Sequence, residues 1–298
     1  MKTMKDEKGV VLIVTLWILT ILTLLAISFS HRMRVEIKLT EFQIDSLRAL
    51  YLAKAGINYA IAELKKDTND YDALNEPWNG QKEVELGRGR FIYQVSDEER
   101  RINLNYATRT TLEKLPQLNK EIVSCIIDWR DVDIKEEDYE AEDEYYQSIL
   151  KNYHCKNAPF ESIEELLLVK GVISKILYGE GKINQLITVY GQGAININTA
   201  PKEVLSVLLN EELAQNIINY RARFDGKEGT EDDNIFKTPQ DIKNVQGIGE
   251  KYNSISQLIT TNSNTFRISA TGIVNKVTKK ITSIIDLETG KIKYWREE

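Results

Sequence analysis

The densest chemistry in the sequence is an acidic run. From Asp131 to Glu144 there are nine carboxylates (Asp131, Asp133, Glu136, Glu137, Asp138, Glu140, Glu142, Asp143 and Glu144) against one cation, Lys135. Two outcomes are open. Charges this dense repel one another in a solvated loop, or they gather around a hard cation such as calcium, which takes oxygens at about 2.3–2.6 Å. A second acidic stretch, Asp225 to Asp233 (DGKEGTEDD), has looser spacing and reads as an exposed linker. Cys125 and Cys155 either pair as a disulfide in an oxidising compartment or stand as one buried and one exposed thiol. His154 beside Cys155 falls short of a zinc set, and His31 next to Arg32 reads as an interfacial residue rather than a base. No nucleophile stands beside a general base at motif spacing, and no glycine-rich phosphate loop follows a strand. An enzyme reading would be a tethered metal hydrolase on the acidic run, which needs open metal coordination. The chain is read as a non-enzyme.

Those residues must be positioned by something, and the bulk composition allows a folded core. The 298 residues are 42% hydrophobic and 28% charged, with a net charge of −6. An acidic balance is a poor footprint for a protein that must neutralise phosphates.

The first element is a rod. Residues 1–9 (MKTMKDEKG) are polar, with Lys2, Lys5 and Lys8; Val10 to Phe29 then runs without a charge. Twenty such residues span about 30 Å as a helix, the thickness of a bilayer core. The run is longer than the apolar region of a secretory signal peptide, which is about 7–15 residues. His31, Arg32 and Arg34 follow at the far interface. Apolar residues then recur at helical steps through Leu39, Phe42, Leu47, Leu50 and Ala53 to Ile57 as far as Leu64. The spacing predicts one helix from Val10 to Leu64. Small residues on it (Ala53, Ala55, Gly56, Ala60) suit close approach of a neighbouring helix or packing against the chain's own sheet.

The middle of the chain repeats. Asn103-Leu-Asn-Tyr-Ala107 and Asn196-Ile-Asn-Thr-Ala200 are near copies, and each leads to Ile-Ile-x-x-Arg, ending at Arg130 and Arg221. Each then reaches a second block, from Phe160 to Gly171 and from Phe236 to Gly247. The Asn-Ala pairs are expected to cap helix starts and the glycines to close helix ends. Two tandem helical modules follow. The acidic run is extra length in the first module alone, and Trp129, Tyr139, Tyr145 and Tyr146 are expected to pack it. Strands bracket the modules: Phe91, Tyr93 and Val95 alternate with polar residues, as do residues 266–272, 280–287 and 292–295 around a turn at Glu288-Thr289-Gly290.

The expected fold is therefore α+β. Residues 1–9 form a leader and 10–30 a transmembrane helix. Residues 31–102 and 262–298 make a discontinuous α/β domain with an antiparallel sheet, an arrangement that resembles a pilin-like α/β domain. Residues 103–261 form an inserted all-α domain, with repeat one at 103–180 and repeat two at 196–261.

The modules resemble helix-hairpin-helix units, and Val245-Gln246-Gly247-Ile248-Gly249 resembles the hairpin turn that binds DNA phosphate elsewhere. No basic stripe flanks it, so the turn is read as packing. The short basic leader ending at Gly9 resembles that of type IV pilins and pseudopilins. The fifth residue after Gly9 is Val14, where most members carry glutamate. A carboxylate at that depth costs roughly 2.5–3.5 kcal/mol and is tolerable when paired with a neighbouring subunit's terminal amine; a subunit at a fibre tip lacks that neighbour. With the inserted modules, the whole chain resembles the type II secretion minor pseudopilin K family.

That resemblance implies cleavage by a prepilin peptidase between Gly9 and Val10, followed by N-methylation of the new terminus. It implies a single-pass anchor in the inner membrane, a periplasmic head at the pseudopilus tip, and minor pseudopilins I and J as partners, with no nucleic acid expected. It also implies calcium in the acidic insertion, with Asp131, Asp133, Glu142 and Asp143 as ligands, although Ile134 to Glu140 replace the usual Pro and Gly between the two halves. The alternative is a membrane-anchored DNA receptor of the competence type, whose DNA retention would weaken with salt.

Overall fold

The computed structural model describes residues 3–131, 146–147 and 154–298. A single unbroken helix, α1 (Thr3–Leu64), occupies 62 residues, about 93 Å at 1.5 Å per residue. Its apolar stretch is exposed along its length and reaches a mean hydropathy of 2.9, long and apolar enough to cross a membrane. Threonines within that stretch return their hydroxyls to the helix: Thr15 Oγ1 donates to the Leu12 carbonyl at 2.9 Å and Thr23 Oγ1 to that of Leu19 at 2.6 Å. No hydroxyl of these two is left facing lipid without an acceptor. The Gly9–Val10 bond lies inside the helix.

Farther along, the helix meets a sheet. Ala49, Leu52, Ala53, Ile57, Ala60 and Leu64 are buried, the three- and four-residue spacing of one helical face. Opposite them is a five-stranded antiparallel sheet in the order β1-β2-β7-β8-β9, with β1 (Gly80–Leu86), β2 (Gly89–Asp97), β7 (Thr265–Val274), β8 (Val277–Asp286) and β9 (Lys291–Glu297). Alternation sets the inner face: Phe91, Tyr93 and Val95 from β2 lie opposite Gly272, Ala270 and Ile268 from β7. The four strands expected from alternation are present. The polar first strand, β1, carries no such pattern and is an addition to the sequence reading.

Small residues let α1 come close. A methyl group on Gly56 would sit 2.9 Å from Ala270 Cβ and 3.0 Å from the Phe91 ring. One on Gly272 would run into the Ala49 carbonyl and lie 2.7 Å from the Ala53 nitrogen. Ala53, Gly56 and Ala60 thus pack the chain's own sheet, with Ala55 half-buried beside them.

Between β2 and β7 the chain builds two modules. The first runs from β3 (Ile102–Asn103) through α2 (Arg109–Leu112), α3 (Lys120–Arg130) and a 3-10 helix (Ile163–Leu168) to β4 (Ile187–Thr188). The second repeats the order with β5 (Ile195–Asn196), α4 (Lys202–Leu208), α5 (Glu211–Ala222), a 3-10 helix (Pro239–Asn244) and β6 (Ile259–Thr260). Each module is closed by its own parallel strand pair, β3 with β4 and β5 with β6. The insert is therefore not purely helical, and its first module closes beyond residue 180. One hydrophobic cluster runs through both modules, and a second fills the space between α1 and the sheet.

Candidate functional site

The repeated Asn-x-Asn residues hold each module shut. In both copies the first Asn side chain accepts from the backbone N–H of the second at 2.9 Å. The second Asn then clamps the distant phenylalanine: Asn105 donates to the Phe160 carbonyl (3.0 Å) and accepts from its N–H (2.7 Å), and Asn198 does the same to Phe236 (2.9 Å each). The arginine ending each long helix reaches back to the same motif. Arg130 donates to the Leu104 carbonyl, and Arg221 to those of Ile197 and Ala200 at 2.9 and 2.8 Å. These asparagines do not cap helices, which corrects the sequence reading. The caps are Asn119, accepting from the Ile122 N–H at 2.8 Å, and Asn210, accepting from that of Leu213 at 2.9 Å. A clamp satisfies two backbone groups 38 or 55 residues away, whereas a cap satisfies one nearby, so spacing alone favoured the wrong role.

The hairpin glycines complete the packing. Gly171 and Gly247 have φ of +83° and +85°, a region that favours glycine, and each lies against the residue its Asn cap holds, Ile122 and Leu213. Gly249 faces open space. Lys243 next to this turn sits over the Tyr252 ring at 4.2 Å, so the turn is accounted for by packing.

A buried polar joint fastens the modules to the sheet. Glu98 is fully buried at the end of β2 and receives Arg267 in a bidentate pair (2.8 and 2.9 Å), Arg101 at 2.7 Å and the Thr188 hydroxyl at 2.8 Å. Burial pushes its pKa up, but the Arg267 hydrogen bonds and the Arg101 charge outweigh this and hold it below the usual range. Asp97, also buried, accepts from Thr199 (2.5 Å), Ser263 (2.8 Å) and the Glu99 N–H (2.8 Å). No cation pairs with it in that set, and burial raises its pKa. Burial likewise carries Asp72 and Glu99 to about 7, with the Asp97 charge adding to both. Asp72 accepts from the Ser263 N–H at 2.7 Å and Glu99 from that of Asn264 at 3.2 Å. Loop, strand end and both modules thus meet at four carboxylates. Asp67 and Glu76 bring oxygens within 4.8 Å of those of Asp72.

Along α1 the surface differs. Ile44, Leu47, Tyr51 and Leu86 with Arg48 and Arg88 line an open groove of about 490 Å³ beside the β1–β2 hairpin. Val35, Ile37, Leu39 and Phe42 are exposed below it on the rod.

The other sequence candidates are placed as follows. Cys125 and Cys155 are both buried and carry no disulfide. Both lie close enough to Tyr146 to act on its hydroxyl; burial pushes the Cys155 thiol up to about 12. Trp129 and Tyr146 pack edge-on with centroids 5.4 Å apart. Asp131 forms the C-cap of α3, with Oδ1 3.5 Å from Arg130 Nε. Asp133, Glu142, Asp143, Tyr139 and Tyr145 lie outside the described residues.

Comparison with known proteins agrees with this architecture. A family model described as type II secretion system protein K matches residues 101–190, the first module. The first module is thus similar to type II secretion system protein K. Curated family relatives include the putative type II secretion system protein K of Escherichia coli strain K12, 24% identical across 57% of this chain and 60% of that one. The Aeromonas hydrophila protein K is 25% identical across 70% and 72%, and that of Klebsiella pneumoniae 24% across 56% and 58%. The chain thus spans about three fifths to three quarters of these relatives. A chain in the crystal structure of the GspK-GspI-GspJ complex from the enterotoxigenic Escherichia coli type 2 secretion system superposes with a TM-score of 0.70 at 17% identity. That match covers 87% of this chain and 99% of the solved one, and it shows the protein K fold.

Proposed function

We propose that this chain is a minor pseudopilin of type II secretion that caps the tip of the pseudopilus and helps to start its assembly. The observation that carries the reading is the combination of an exposed apolar rod with a bulky two-module head on one continuous chain. The rod anchors in the inner membrane, the head stands in the periplasm, and pseudopilins I and J are the partners, as the neighbouring complex suggests. A head inserted between the inner strands β2 and β7 adds bulk to the subunit, which suits an end position better than a repeated one. Val14 in place of the usual carboxylate fits the same position, because a terminal subunit has no preceding amine to pair with. The work is structural, with no catalytic group assigned. Calcium is proposed to neutralise the acidic insertion through Asp131, Asp133, Glu142 and Asp143.

N-terminal mass spectrometry of the membrane-extracted protein tests this reading. With a prepilin peptidase present, the mature chain is expected to begin at an N-methylated Val10. A chain that keeps Met1 in the presence of active peptidase would contradict the pilin-like assignment.

A further inference from the structure

The seam between the two modules opens into a cleft of about 940 Å³. Arg100 and Arg101 line it where the chain leaves the sheet, Lys114 and Lys182 come from the first module, and Lys202 from the second. The chain as a whole carries a net charge of −6, so a gathering of five cations calls for a physical reason. Two of them have one. Arg101 pairs with Glu98 at 2.7 Å, and Lys202 with Glu211 at 2.9 Å.

Arg100 is different. It is half-buried, and among the described residues no oxygen accepts from its guanidinium. Asp97 and Glu228 are near enough for their charges to act on it, but neither accepts from it. Asp97 accepts from Thr199, Ser263 and Glu99, and Glu228 Oε1 from Arg221. The Arg100 guanidinium therefore faces the cleft, and its planar fork matches a carboxylate in two parallel hydrogen bonds.

The cleft walls narrow the choice of anion. Leu186, Pro201 and Val207 line the cleft together with the cations, and Glu180, Glu203 and Glu211, the last paired with Lys202, line it as well. A phosphate polymer carries charge at every repeat and has no side chain for the apolar wall. An extended peptide with acidic and aliphatic side chains in alternation satisfies both. We infer that the cleft between the modules binds an acidic segment of another protein, with a carboxylate in the Arg100 fork and an aliphatic side chain against Leu186 and Val207. This rests on the cleft alone and stands apart from the assembly reading.

The test uses the full chain in detergent micelles, methyl-labelled at Leu and Val and titrated with acetyl-Glu-Leu-Glu-Leu-amide. The Leu186 and Val207 methyl signals should shift saturably. The matched Gln-Leu-Gln-Leu peptide and the Arg100→Met variant should each bind at least tenfold more weakly. Should Arg100→Met fail to fold, Lys114→Gln with Lys182→Gln decides, since both side chains are exposed and carry no ion pair among the described residues; a severalfold weakening is expected. Absence of a saturable shift, equal binding of the glutamine peptide, unchanged affinity in the folded variants, or inorganic phosphate moving the same methyls at the same concentration would overturn the proposal.

Discussion

Asn198 ties together two backbone groups that would otherwise be stranded in the second module. Its side chain is buried, donates to the Phe236 carbonyl and accepts from the Phe236 N–H. Truncation leaves both groups without partners, and an unsatisfied buried group costs about 1–3 kcal/mol. Asn198→Ala should therefore destabilise the head by about 2–4 kcal/mol in chemical denaturation. Asn105→Ala should cost less, because its site is half-buried and water can replace part of the clamp. Equal losses would mean that burial does not set the strength of the clamp. The repeat of these asparagines was legible in the sequence, but their role was not, because the partners are distant in the chain. The acids of the joint were hidden for a related reason: Asp97-Glu98-Glu99 after a strand has the composition of a solvated turn, and only the fold brings Arg267 and Thr188 onto Glu98.

Among the elements, α1 and β7 meet backbone to backbone at Gly272. Gly272 leaves no room for a methyl group between strand and helix backbone, so Gly272→Ala must push the two apart. Overpacking of this kind costs about 1–3 kcal/mol and occasionally more. A loss of about 3 kcal/mol is expected, while Gly290→Ala, at an open turn, should lose less. The joint between sheet and modules makes a separate prediction about pH. Asp72 and Glu99 titrate at about 7 in the folded chain, against about 4 when unfolded. Asp72 is faced by Asp97, Glu76 and Asp67, and Glu99 by Asp97, with Arg100 the cation acting on Asp97. The folded state holds protons that the unfolded state releases, so this stability is complete below about pH 4 and is lost as pH rises to about 7. Melting temperature should fall across that window, and Asp72→Asn with Glu99→Gln should flatten the fall. A profile that keeps its full slope in the double variant would locate the titration elsewhere. At this scale the rod was legible because apolar residues keep one helical period to Leu64. β1 was not, since Gly80–Leu86 is mostly polar and gains its place by pairing with β2.

The whole molecule is two cores on one rod. One core lies under α1 against the sheet, the other runs through both modules, and the buried joint of Glu98, Asp97, Glu99 and Asp72 connects them. This division lets one chain combine an exposed apolar helix with a separately packed head. If calcium orders the acidic insertion, chelation should lower the melting temperature of the head, and Asp131→Asn should reduce that response; a head indifferent to chelation would remove calcium from the account. The central claim, a minor pseudopilin at the pseudopilus tip, is tested most directly by purifying the mature chain together with pseudopilins I and J. The account predicts a stable complex with one copy of each, lost when the exposed rod face is made polar at Leu39 and Phe42. A chain that stays apart from both pseudopilins, while retaining DNA in a salt-dependent manner, would contradict it.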